Sequence, residues 1–336
     1  MLLRIFAAIS LSFATFARCA PFPDIGIAGG GPPNSPVPVE ISVNGAKDVQ
    51  LTQFLENLEV SFFSAASTNL STWDTTAYSN SSIDTVNRIT AQEEVHLETL
   101  TAILNTYNVP LIPPCNYSFP VSSAKEFFEV ADLISSVGIS ATIGLSQHLT
   151  LLDPSVARLI SSFLSVKSRY DSFFRDVQER EPNPSPFDTG ISAIWAYNIA
   201  LSFIIPGSCP VQIPLPVLPE LTVTQGIMDP ATVAPFANRT NSANSTNGDI
   251  LKEFTWDPTQ VPFVVQGDKQ LLAGWVNQAN KPVYTPLTNT SEGKGTARMP
   301  QGLSGITFVA ITTEQFTDVD DLAQGTIAGP AVVVVS

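Results

Sequence analysis

The sequence predicts an α+β, multidomain chain: an up-down helical bundle over residues 46–205, then a β-sandwich-like C-terminal domain over 206–336. Two observations carry this reading. Through the first region apolar side chains recur at alternating steps of three and four, the spacing of a helix seam. After Pro206 that period stops, and proline-spaced, β-branched runs replace it. A chain of 336 residues has room for two domains and a sizeable core.

At the N-terminus Arg4 precedes an apolar run over residues 5–16, and small residues follow through Ala20. Residues 1–20 read as a secretory signal peptide, too short for a membrane span. Its cleavage removes Cys19 and leaves Cys115 and Cys209, which are expected to form one structural disulfide in an oxidising compartment. Six Asn-x-Ser/Thr sites, at Asn69, Asn80, Asn116, Asn238, Asn244 and Asn289, fit a secreted eukaryotic glycoprotein. Residues 21–45 are rich in Pro and Gly and read as an extended arm.

A first helix is expected from Ala46, with Leu51, Leu55, Leu58 and Phe62 as its apolar stripe. Ser82 can cap a second helix over residues 83–107, which must end before Pro110. Residues 110–120 make a rigid connection that holds Cys115. A third helix starts at Ser122 or Ser123 and runs towards His148, with Gly138 as a break. Asp153 followed by Pro154 is a helix-start signal for the fourth. Its seam reads Val156, Leu159, Phe163, Val166, Tyr170, Phe173 and Val177. A fifth helix covers 187–203. Candidate strands are 261–265, 270–276, 306–313 and 331–335, and residues 237–248 form a low-complexity loop. No segment after the leader is expected to cross a membrane.

The net charge is −14 with 16 Lys plus Arg and no basic run, so nucleic acid is not an expected partner. Run 28–31 (AGGG) precedes prolines rather than opening a helix, which argues against a phosphate loop. Asp318, Asp320 and Asp321 lack a full calcium-ligand loop and read as a solvated turn.

The chemistry centres on the second helix. Val86, Ile89, Glu93, His96, Leu100, Ile103 and Tyr107 share one seam, so Glu93 and His96 stand where apolar residues belong. An acid and an imidazole three apart on one helix face can bind one metal. Two-metal carboxylate bundles use this Glu-x-x-His unit twice, with one further Glu from each of two other helices. Glu56 or Glu59 can supply a carboxylate from the first helix. No second Glu-x-x-His exists: His148, the other histidine, has Leu145 three residues before it. The fourth helix carries Lys167 and Tyr170 instead, and the third offers Ser135, Ser136 and Thr142. The expected state is metal-free, with Lys167 neutralising the acids and Tyr170 donating a hydrogen bond. The alternative is iron or manganese held by Glu56, Glu93 and His96.

Several runs resemble fungal secreted ferritin-like domain proteins of the stress-response and late-sexual-development type, related to plant desiccation-related proteins. They are residues 55–59 (LENLE), 91–96 (AQEEVH), 114–120 (PCNYSFP), 137–141 (VGISA), 186–189 (PFDT) and 209–210 (CP), with 254–258 (FTWDP), 275–278 (WVNQ) and 284–287 (YTPL). The resemblance implies a ferritin-like bundle in which Glu56, Glu93 and His96 match metal-ligand positions. Lys167 and Tyr170 stand where Glu and His are usual, and Ser135 where a Glu is usual. The expected protein is therefore a secreted, extracellular or wall-associated glycoprotein with a degenerate metal site and no enzymatic role. It would be linked to stress or development, and its β domain would contact wall glycan or another extracellular protein. The alternative is a metal-dependent oxidoreductase using the remaining half-site.

Overall fold

A computed structural model describes residues 23–34, 40–224, 250–260, 269–291 and 293–335. Residues 1–20, read from sequence as a signal peptide, the loop 237–248, the candidate strand 261–265, Asn238 and Asn244 lie outside the described residues.

Four long helices form the bundle: α2 (Val43–Asn69), α3 (Asn80–Thr106), α4 (Ala124–Leu152) and α5 (Pro154–Val177). A short α1 (Ile25–Ala28) precedes them, capped by the Asp24 carboxylate, which accepts from the Gly26 and Ile27 amides. The Pro- and Gly-rich arm is thus not extended throughout. Ser42, Ser79 and Ser123 cap α2, α3 and α4 by accepting an amide hydrogen bond three residues on. The cap of α3 is Ser79 rather than Ser82, and α2 opens at Val43, three residues earlier than the pattern suggests.

Asp153 precedes α5 but does not cap it with its side chain. Its carboxylate is taken by Ser42 instead, accepting from the amide at 2.9 Å and the hydroxyl at 2.6 Å. Gly45 makes room for that contact: a Cβ there would stand 2.1 Å from the Asp153 carboxylate. The ends of α2 and α5 are tied together through this pair.

Two sequence expectations about α4 are corrected. Gly138 does not break it; the helix is continuous through that position. It is also long and apolar enough to cross a membrane, yet 67% of its most apolar window is buried against protein, as in a core helix. A further correction concerns the fifth predicted helix. α6 spans Ala193–Leu201, not 187–203. The residues before it lie along α4, where the Ile191 amide donates to the Ser140 carbonyl. Gly144 permits this, since a Cβ would meet the Ile191 carbonyl oxygen at 1.9 Å.

The C-terminal region holds two four-stranded antiparallel sheets. One orders β1 (Leu221–Thr224), β2 (Leu251–Trp256), β6 (Lys294–Arg298) and β5 (Thr288–Ser291). The other orders β4 (Val283–Pro286), β3 (Leu272–Asn277), β7 (Gly305–Thr312) and β8 (Ala328–Val335). Phe254, Trp256, Trp275, Val309, Ile311 and Val333 fill the space between the sheets as a sandwich core. Strands β3, β7 and β8 fall where the sequence places them; β1, β2, β4, β5 and β6 were not anticipated. Those five span four to six residues, and β2 and β6 alternate buried and exposed positions over runs too polar to stand out as continuous apolar strands.

Sheet β4-β3-β7-β8 is buried on both faces. Val276, Phe308 and Ala310 point away from the sandwich, into a cluster with Val137, Ala141 and Trp195 of the helices. Polar pins cross the same boundary. Thr189 Oγ1 donates to the Ile306 carbonyl at 2.6 Å, and Trp195 Nε1 donates to Thr326 Oγ1 at 3.0 Å. A last helix, α7 (Val319–Gln324), is capped by Asp318. Asp320 on it pairs with His148 of α4 at 3.0 Å. The three acids are therefore a helix cap and an inter-element contact, not an isolated turn.

Cys115 and Cys209 are bonded across a sequence separation of 94 residues. Closing so long a loop restricts the unfolded chain. Replacing both cysteines by Ala is expected to lower unfolding free energy by roughly 4–5 kcal/mol, measured by denaturant titration.

Candidate functional site: a lysine among buried carboxylates

Glu56 and Glu59 lie three apart on α2, and Glu93 and His96 three apart on α3, so each pair shares one helix face. The two faces meet inside the bundle. α5 brings Lys167 to the same point: its buried residues are Val156, Ile160, Phe163, Lys167, Tyr170 and Phe174. The burial stripe is thus rotated from the predicted seam, leaving Leu159, Val166 and Phe173 at its margin and Lys167 at its centre. Glu93 is wholly buried and Lys167 is 2% exposed.

The Lys167 Nζ lies 3.2 Å from Glu56 Oε1 and 2.7 Å from Glu93 Oε2, and also donates to Glu59 Oε2. His96 Nδ1 lies 3.3 Å from Glu93 Oε2 and 3.9 Å from Glu56 Oε2. The His96 ring stacks on Phe163 with centroids 4.2 Å apart. Gly138 of α4 completes the floor, because a Cβ there would come within 2.5 Å of Glu59 Oε1. Glu59 was offered only as an alternative to Glu56; the structure uses both, as their three-residue spacing permits. Gly138, read from sequence as a break, is the clearance for a carboxylate.

Charge is divided unequally among the acids. Burial raises Glu56 well above the usual carboxylate range and Glu59 to about 8, against the opposing pull of Lys167. Burial also opposes ionisation of Glu93, but Lys167 and then His96 outweigh it and hold that carboxyl well below the ordinary value. For Lys167, burial favours the neutral amine; the charges of Glu56, Glu59 and Glu93 outweigh it and keep the group protonated. The cluster is an ammonium among three coupled carboxyls, of which Glu93 keeps its charge most firmly and Glu56 and Glu59 take up a proton more readily than ordinary glutamates.

Glu56, Glu93 and His96 can bring one ligand atom each to within 4.8 Å of one another. Glu56 Oε2 and Glu93 Oε1 are buried without a hydrogen-bond partner among the described residues. These features would suit a cation. The point where the three carboxylates converge, however, is held by the Lys167 ammonium, and Glu93 Oε2 is shared between Lys167 and His96. At this point α4 brings Gly138 and α5 brings Lys167 and Tyr170 rather than carboxylate or imidazole. The residues present do not fit a two-metal centre. They fit an ammonium.

Tyr170 departs from expectation. Its hydroxyl donates to Gln92 Oε1 at 2.8 Å, not to a carboxylate. Gln92 in turn donates to the Ala28 carbonyl, so Tyr170 helps hold α1 on the bundle. Of the glycosylation candidates, Asn80 is exposed at the start of α3, and Asn69 and Asn116 are half-buried. Asn289 lies in β5.

Two substitutions probe this centre. Lys167→Met leaves Glu93 without its counter-charge and should cost about 3–5 kcal/mol. Without the ammonium the folded state keeps protons that the unfolded chain releases above its ordinary carboxylate pKa. The loss should therefore grow as pH rises above about 4.5, which equilibrium unfolding at several pH values will read. Gly138→Ala drives a methyl into Glu59 and should cost about 1–3 kcal/mol in the same assay, while Glu59→Gln should not relieve it.

Residues 47–180 match the family described as Ferritin-like domain. Protein rds1 of Schizosaccharomyces pombe (strain 972 / ATCC 24843) is 23% identical over 288 residues, covering 73% of this chain and 69% of that protein. That span is longer than the helical residues alone, so the likeness extends into the β region. The helices that carry Glu56, Glu59, Glu93, His96 and Lys167 are a ferritin-like domain, followed by a C-terminal region of two antiparallel sheets.

Proposed function

We propose that this protein is a secreted glycoprotein whose ferritin-like bundle has exchanged its metal for a lysine, and that it acts through surface contacts rather than by catalysis. The observation that carries the reading is the Lys167 ammonium lying among Glu56, Glu59 and Glu93. A fixed internal cation does for the buried acids what a metal would do. It cannot change valence or open a coordination position to a substrate. Export is supported by the leader-like residues 1–20, the six glycosylation sequences and the Cys115–Cys209 bond. An association with fungal stress or sexual development rests on the family resemblance of the quoted runs. The β region, whose outer sheet β1-β2-β6-β5 carries the more exposed residues, is the proposed contact module for wall glycan or another extracellular protein.

A second reading, a metal-dependent oxidoreductase, draws on one observation: Glu56 Oε2 and Glu93 Oε1 have no partner beside His96. Elemental mass spectrometry of the secreted protein separates the two. The expected result is no stoichiometric iron or manganese in the unmodified protein. Lys167→Glu combined with Tyr170→His should acquire the metal. Near-stoichiometric iron or manganese in the unmodified protein would overturn the lysine-substituted reading and favour the oxidoreductase.

A further inference from the structure

A cleft of about 650 Å³ opens where the first turns of α2, the last turn of α4 and residues 211–215 meet. It shares no residue with the Lys167 cluster. Leu51, Ile112, Ile213 and Leu215 make its apolar wall, and Leu151 and Leu152 stand at its rim, 84% and 50% exposed. Apart from the His148 imidazole, which is bonded to Asp320, no aromatic ring lines it among the described residues, so it offers no phenyl or indole platform for stacking a sugar or a base.

The polar side of the cleft is unbalanced. Asp48 is half-buried, and among the described residues its carboxylate has no hydrogen bond or ion pair within contact distance. The charges that reach Asp48 are His148, Asp153, Asp320 and Lys47. His148 is already committed to Asp320 at 3.0 Å, Asp153 is held by Ser42, and Lys47 is exposed to solvent. Three carboxylates therefore act on the head of the cleft, against one solvated lysine and one imidazole bonded to an acid. An apolar body with a positive head complements such a wall; an anionic head does not.

We propose that this cleft binds an amphipathic organic cation of the alkylammonium class, its ammonium group on Asp48 and its alkyl chain along Leu51, Ile213 and Leu215. Burial, the largest influence on Asp48, pushes its carboxyl up to about 6, so it is ionised and available above that pH. Binding should weaken as pH falls below 6. There Asp48 takes up a proton and loses the charge that faces the ammonium.

Isothermal titration of the full secreted chain with octylammonium, octanoate and octanol, each below its aggregation concentration, tests this at pH 7.5 and 5. Octylammonium should bind tightest at pH 7.5 and lose affinity at pH 5. Asp48→Asn should weaken octylammonium by about tenfold, the effect of roughly one well-placed charge contact. Lys47→Gln, on the exposed side, should tighten it, so the two variants move in opposite directions and a general folding defect cannot imitate the pattern. The proposal is overturned if octanoate binds as tightly as octylammonium, if Asp48→Asn leaves the affinity unchanged, or if none of the three probes binds.

Discussion

The helical bundle depends on the placement of one ammonium ion. Four long helices bring three glutamates and a histidine into a space from which water is excluded, an arrangement that is costly without a compensating cation. Lys167 supplies that cation from α5, reaching carboxylates on both α2 and α3. Its long side chain suits the task. The charge is delivered at the centre from a helix face that also buries Phe163, Tyr170 and Phe174, and the side chain passes close to Gly138 of α4. Burial eases proton uptake by Glu56 and Glu59 while Lys167 and His96 hold Glu93 ionised, so the negative charge is unevenly shared among the three carboxyls.

That economy shapes the neighbouring elements. α4 approaches closely at Gly138 because a methyl there would strike Glu59, and again at Gly144 because the Ile191 carbonyl lies against it. The second contact starts the connection that delivers α6 and its Trp195 to the sheet β4-β3-β7-β8. The sheet is buried from both sides, by helices on one face and by its partner sheet on the other. Its strands read as continuous apolar runs for that reason, whereas the outer sheet is shorter and more polar.

The surface divides in a corresponding way. The interior cluster is buried, with its carboxyls gathered around the Lys167 ammonium. A separate cleft lies at the junction of α2, α4 and residues 211–215, where Asp48 stands beside apolar walls. Surface chemistry and core chemistry are thus separated in this protein, and the two respond to different residues.

Much of the architecture was legible in the chain itself. Period-3.6 patterning marked the four long helices, and the long apolar runs marked β3, β7 and β8, because burial dictates residue type directly. Spacing singled out Glu93 and His96, since a charged residue on an apolar face is conspicuous by pattern alone; Lys167 lay outside the predicted seam and drew notice only as the residue standing where a second Glu-x-x-His would begin. The short strands β1, β2, β4, β5 and β6 were not legible, because their pairing is set by neighbours distant in sequence. Sequence could not say that Tyr170 turns to Gln92, that Asp153 serves Ser42 rather than its own helix, or that Gly138 is a clearance and not a break. Local pattern determined which residues face inward. Only the tertiary structure decided which of them meet, because that depends on how helices and sheets distant in sequence are brought together.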